Sequence, residues 1–185
     1  MHIDGKRIAI LATHGFEQSE LEVPRDRLKD HGAVVHVVSP ETGEIRGWKG
    51  KDWGNPVKVD VALSSADAND YDALVLPGGQ INPDLLRMEP AALEFIQAFY
   101  DQKKVIAAIC HAPWLLIEAG IAKGLKATSY ASIKTDMINA GADWEDSPVV
   151  TDQGIVTSRK PDDLEAFSQK IMEEVAEGRH ESRKA

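Results

Sequence analysis

Four short, near-continuous apolar runs, Ile8–Ala12, Val34–Val38, Ala73–Leu76 and Val105–Ile109, constrain this chain more than any other feature. They are rich in Val, Ile and Leu, the pattern of strands buried on both faces. Between and after them lie segments of helical character: Ser19–His31, Pro90–Gln102 with Leu93, Ile96 and Phe99 on one stripe, and Ala112–Ala119. Strand and helix alternate, so the expected fold is α/β, with a mostly parallel sheet sandwiched between helices.

The first helix contains Pro24, which removes a backbone bond and crowds the preceding turn, so a kink or a late start is expected there. His31-Gly32 supplies its stop. The glycine- and tryptophan-bearing stretch Glu41–Trp53 lacks periodicity and is followed by alternating Val57, Val59 and Val61. It reads as a turn-rich excursion or a β-hairpin on the sheet edge. Pro161, Asp162 and Asp163 open a last amphipathic helix, Leu164–Ala176, because proline suits the first turn and carboxylates favour the positive helix end. Gly178 ends it, and residues 179–185 form a polar tail expected to fray or to meet a partner. No repeat or composition shift divides the chain, which is read as one domain over residues 1–185.

At 185 residues and 43% apolar content, the chain can bury a full core without staples. The single cysteine, Cys110, excludes an intramolecular disulfide and points to a reducing compartment. With no leader-like segment ahead of the first strand, the expected location is the cytoplasm. The balance of 21 basic and 30 acidic residues, a net charge of −9, disfavours nucleic acid and anionic membranes as partners. No apolar stretch approaches the roughly 20 residues that span a bilayer.

The run Val105–Ile109 leads directly into Cys110-His111-Ala112-Pro113, a strand passing through a turn into a helix. A nucleophile at such an elbow needs a sharp turn with small neighbours two positions away, here Ala108 and Ala112. The positive start of the next helix favours thiolate over thiol. The competing interpretation is that Cys110 is a small core residue. His111 is a candidate general base or a polar surface residue, since adjacent side chains in an extended turn diverge.

Pro77-Gly78-Gly79 ends another strand, and paired glycines let backbone N–H groups converge on a ligand oxygen. It is an oxyanion-binding turn or a tight turn only. Glu17 and Glu20 follow the first strand and reach the same sheet edge. They are partners of a helix dipole or, if one lies under the thiol, a carboxylic acid that donates to a thiolate. The histidines have no ligand spacing and one cysteine cannot build a zinc site, so neither a metal nor a cofactor is expected.

Together, Phe16-Glu17-Gln18-Ser19-Glu20, Leu76-Pro77-Gly78-Gly79 and Ala108-Ile109-Cys110-His111-Ala112-Pro113 resemble the ThiJ/PfpI superfamily, and more narrowly its PfpI-type intracellular proteases and general stress proteins. The likeness extends through Thr128-Ser129-Tyr130 and Val156–Leu164 and covers nearly the whole chain. It implies a flavodoxin-like three-layer sandwich of the class I glutamine amidotransferase type and a homodimer or larger homo-oligomer. It further implies a nucleophile at Cys110, a partner at His111, and a thiol-contacting carboxylate at Glu20, with Glu17 as a second candidate acid. Gly78 and Gly79 correspond to the oxyanion-binding turn. Family proteases add a glutamate from the neighbouring subunit; the nearest match is Asp84, one methylene shorter and after a longer loop, which weakens the protease triad.

Three functions follow from the resemblance. One is a cysteine-dependent enzyme acting on small reactive aldehydes or glycated substrates, glyoxalase- or deglycase-like, with weak or vestigial peptidase activity. The alternatives are an intracellular cysteine protease proper, and a redox sensor or chaperone without turnover.

Overall fold

In the computed structural model, residues 2–181 and 183 are described. In chain order the elements are β1 (Arg7–Leu11), α1 (Gln18–Asp30), β2 (Val34–Ser39), β3 (Glu44–Lys49), β4 (Asp52–Lys58), β5 (Val61–Ala62), β6 (Ala73–Leu76) and α2 (Ile81–Leu86). There follow α3 (Pro90–Asp101), β7 (Val105–Ile109), α4 (Pro113–Glu118), β8 (Lys126–Ala127), α5 (Lys134–Asn139), β9 (Asp143–Trp144), β10 (Val149–Asp152), β11 (Ile155–Ser158) and α6 (Leu164–Glu177). The main sheet runs β10-β11-β7-β6-β1-β2-β5, and every pairing is parallel except β10 with β11. This is the expected flavodoxin-like α/β architecture.

The two-residue period of the strands divides the core into two layers. Ile8 and Ile10 of β1 and Val105, Ala107 and Ile109 of β7 join Leu21 and Leu28 of α1 and Phe167 and Ile171 of α6. The intervening Ala9, Leu11, Ile106 and Ala108 face Phe95, Ile96 and Phe99 of α3 and Leu115 and Leu116 of α4. Each fully buried side chain of this size contributes about 1.5–3 kcal/mol, so packing rather than propensity holds these helices. β1 occupies the middle of the sheet, with β2 on one side and β6 on the other. The order in which the chain adds strands therefore reverses between β1 and β6, which run parallel, and a crevice opens beyond their carboxyl ends.

Three expectations change. The first helix does not start late: α1 begins at Gln18 and continues through Pro24, whose missing N–H leaves the Glu20 carbonyl without its usual helical donor. The Glu41–Trp53 region does form a hairpin, β3-β4, but as a separate two-stranded sheet. It lies over the loop after β1, where Gly15 N donates to Arg46 O, Trp48 N to Phe16 O, and Arg46 N to His14 Nδ1. The tail segment does not simply fray. Arg183 is buried, and its guanidinium donates to the carbonyls of Tyr100, Lys104 and Gln153. The remaining tail residues 182, 184 and 185 lie outside the described residues.

Candidate active site

The crevice collects the ends of β1, β6 and β7, and with them Glu20, Gly78-Gly79 and Cys110-His111. Cys110 has φ +65°, the left-handed region that costs an L-residue about 1–2 kcal/mol. The turn is held by Cys110 N donating to Ser158 O at 3.0 Å and by Tyr130 N donating to Cys110 O at 2.8 Å. This conformation reverses the expected divergence of the two side chains: Cys110 Sγ lies 3.1 Å from His111 Nδ1. The far ring nitrogen, Nε2, is 3.0 Å from Ser132 Oγ. Tyr130 stacks on the imidazole at 4.7 Å, and Trp114 meets it edge-on at 5.2 Å.

Glu20 is fully buried on α1 beneath the elbow. Its Oε2 accepts the Gly78 N–H at 2.8 Å, while Oε1 is buried without a conventional donor and the carboxyl makes hydrogen-bonding contact with the Cys110 thiol. Burial pushes the Glu20 carboxyl up to about 8, against the lowering effect of the Gly78 N–H and with the Glu17 charge adding to the rise. Burial also drives the Cys110 thiol well above the usual range, and the Glu20 charge drives it further. The Gly79 and His111 N–H groups oppose that rise by facing the sulfur. The expected pull of the α4 N-terminus is therefore outweighed by burial. With the carboxyl raised to about 8 and the thiol higher still, both groups keep their protons at pH 7, and the Glu20 acid is placed to donate to the sulfur once the thiol proton leaves. Burial lowers the His111 imidazole, which is neutral at pH 7.

The glycine pair divides its work. Gly78 N–H is committed to Glu20, so of the backbone groups expected to face an oxygen, those of Gly79 and His111 are the ones directed at the reacting sulfur. A Cβ at Gly78 would lie 2.6 Å from Cys110 Cβ, Glu20 Oε2 and Ile109 O, so only glycine admits this approach of turn, elbow and acid. Gly79 has φ +72°. Glu17 caps α1 at half-burial, where desolvation raises its carboxyl, and it accepts from Ser19 Oγ at 3.4 Å. Asp84 is exposed on α2 and lines a cavity of about 280 Å³ with Gln80, Ile81, Leu85 and Trp114.

Two residues of the site carried no recognisable signal. Asn82, fully buried, accepts from Thr13 N at 2.8 Å and donates to the carbonyls of Pro77 and Gly78, tying the loop after β1 to the glycine turn. Ser132 is the other; it follows Tyr130 in a segment the motif likeness touched without singling it out. Among the described residues, no group of three His, Cys, Asp or Glu side chains is disposed to hold a metal ion, and no helix is long and apolar enough to cross a membrane.

Residues 6–174 match the DJ-1/PfpI family. General stress protein 18 of Bacillus subtilis is 44% identical over 169 residues, covering 91% of this chain and 96% of its own. Deglycase PfpI of Pyrococcus furiosus is 42% identical over 166 residues, 90% of this chain and 97% of its own. The crystal structure of Drosophila melanogaster DJ-1beta shares the fold with a TM-score of 0.83 at 28% identity, covering 94% of this chain and 95% of that one.

Proposed function

The chain belongs to the DJ-1/PfpI family, and from that premise we propose that it is a cysteine-dependent stress-response enzyme that acts on reactive carbonyls, as a glyoxalase or as a deglycase on their adducts. The observation that carries this reading is the buried Cys110–Glu20 pair, with the Gly79 and His111 N–H groups on the sulfur. A relative named a deglycase supports the substrate class. The activity is read as cytoplasmic, where a lone cysteine stays reduced.

The chemistry needs no cofactor. Neutral His111 takes the thiol proton at Nδ1, 3.1 Å from the sulfur, and the Cys110 thiolate adds to the aldehyde carbon of methylglyoxal, forming a C–S bond. The Glu20 acid gives its proton to the carbonyl oxygen, giving a hemithioacetal, and regains one from the His111 imidazolium. Neutral His111, 3.1 Å from the sulfur, removes the hydrogen on the sulfur-bearing carbon. The resulting enediolate is reprotonated at the adjacent carbon to yield a lactoyl thioester. Water then cleaves the C–S bond, releasing lactate and restoring the thiol, so one methylglyoxal and one water become one lactic acid.

Peptide hydrolysis asks more of this site. A carboxylate would have to hold the imidazole while His111 serves as base and then acid. Within the protomer His111 Nε2 meets the Ser132 hydroxyl instead. Asp84 would serve only if a homodimer brought it across an interface, so peptidase turnover is expected to be feeble.

The test compares wild type with Cys110→Ser on methylglyoxal in buffer free of added thiol, measuring lactate directly and running an unstructured-peptide assay alongside. Lactate is expected from wild type alone, with little peptide cleavage. Equal lactate from both proteins removes the proposal; efficient peptide cleavage abolished by Asp84→Ala replaces it with the protease.

A further inference from the structure

The opposite edge of the sheet holds a second constellation. Lys6, Asp72 and Lys104 immediately precede β1, β6 and β7, which are neighbours in the sheet, so their side chains gather at the amino ends of the central strands. With Arg7, Asn69, Asp70 and Tyr71, and with Val175, Gly178 and Arg179 from the end of α6, they line a cavity of about 380 Å³. At about 30 Å³ per water that is room for roughly a dozen waters, more than a bare ion needs. Four basic residues face two acidic ones there, a net charge of +2 on a chain whose net charge is −9.

Lys104 is the unusual member. It is only 5% exposed, and among the described residues its Nζ donates to one acceptor, Ala68 O at 2.7 Å, with the Phe99 ring at 5.6 Å. An ammonium has three donors, and a buried one normally finds partners for them. Burial holds this ammonium below the usual lysine range, and the nearest further cause is the like charge of Arg179. Arg179, exposed, forms no ion pair among the described residues. Lys103, at the turn leading into Lys104, takes φ +57°, a conformation usually left to glycine. The two carboxylates are differently placed. Asp72 is occupied by the Arg7 N–H and by Lys6, whereas Asp70 makes no side-chain hydrogen bond or ion pair among the described residues and can accept from a hydroxyl.

We infer that this basal cavity binds the phosphate group of a small hydroxylated phosphate ester, held by Lys104 and Arg179 and remote from Cys110. The anion supplies the missing acceptors of a buried ammonium and separates two like charges, while the remaining volume and the free Asp70 carboxylate accommodate hydroxyls.

The experiment titrates inorganic phosphate and, separately, glycerol phosphate into the full chain by calorimetry, at constant ionic strength set with sodium chloride. Wild type and Cys110→Ser are expected to bind alike, and glycerol phosphate more tightly than phosphate. Lys104→Met and Arg179→Gln are expected to weaken binding roughly tenfold or more. Arg179 is at the surface, so its variant keeps the test valid should Lys104→Met fail to fold. Absence of binding to wild type, or equal binding by wild type and Arg179→Gln, overturns the inference. So does a fall in Tm for Arg179→Gln that is the same in phosphate and in chloride, which would mean that the cations only complement the carbonyl end of α6. Because the Cys110→Ser protein is included, loss of this site and loss of the carbonyl chemistry are read separately.

Discussion

The hydroxyl of Ser132 lies 3.0 Å from Nε2 of His111, on the far side of the imidazole from Cys110. A carboxylate in that place would enforce the tautomer with hydrogen on Nε2 and stabilise the imidazolium. A hydroxyl can donate or accept, so it tolerates both tautomers and leaves the ring free to take a proton and give it back.

Ser132→Ala should therefore cost little, about fivefold in kcat/KM for one neutral hydrogen bond worth about 1 kcal/mol. Ser132→Asp should raise the imidazole pKa and move the acidic limb of the pH profile upward by about one unit. Methylglyoxal kinetics between pH 5 and 9 decide it. A limb that does not move in Ser132→Asp would detach this serine from the working imidazole.

Glu20→Gln separates reactivity from turnover. The amide oxygen can still accept the Gly78 N–H, and at pH 9, where the Glu20 carboxyl is ionised, the variant lacks the charge that raises the Cys110 thiol. Alkylation by iodoacetamide at pH 9 should be faster than in wild type. Turnover should fall by roughly a hundredfold, because no acid remains to return the proton to the carbonyl oxygen. Slower alkylation in this variant would contradict the assigned roles.

The same residue makes stability depend on pH. The Glu20 carboxyl is raised by burial from the ordinary 4.5 to about 8 in the folded state. Between those values the folded state retains a proton that the unfolded chain has released, so stability relative to Glu20→Gln declines as pH rises through this window. Below about 4.5 and above about 8 the difference should be flat. Urea midpoints of the two proteins across pH 4 to 9 measure it, and a difference that grows with pH would reverse the sign.

Much of this arrangement is legible in the amino-acid sequence. The strands read as buried because parallel strands covered on both faces need near-continuous Val, Ile and Leu, and Ala73–Leu76 and Val105–Ile109 recur with the same ends. The elbow and the glycine turn were legible because sterics restrict which residues fit: Gly78 has no room for a Cβ. What stayed hidden depends on tertiary context. Pro24 could not announce that α1 would run through it, since packing of Leu21 and Leu28 outweighs one lost backbone bond. The sequence implies the hairpin but not its docking over Gly15 and Phe16, because short antiparallel strands say nothing of what they will cover. The sequence points to a lowered Cys110 thiol and the fold raises it for a related reason: helix position is visible in sequence, whereas desolvation is not.

Asn82 is the residue whose importance only the fold reveals, and its replacement distinguishes shape from hydrogen bonding. Its side chain satisfies Thr13 N, Pro77 O and Gly78 O, all in the buried joint between the loop after β1 and the glycine turn. Asn82→Ala leaves those groups unpaired, at about 1–3 kcal/mol for each that water cannot reach, and loosens the turn that positions Gly78 against Glu20. Asn82→Asp has the same shape and keeps an acceptor for Thr13 N, but it sets a carboxylate against two carbonyl oxygens. It should therefore be at least as destabilising as Asn82→Ala at pH 8, and should recover at pH 4 to 5, where a protonated carboxyl can donate to one carbonyl. Chemical denaturation of both variants at the two pH values, with iodoacetamide reactivity of Cys110 as the reporter of the joint, tests the assignment. An Asn82→Asp protein as stable as wild type at pH 8 would mean that the side chain is held there by its shape alone.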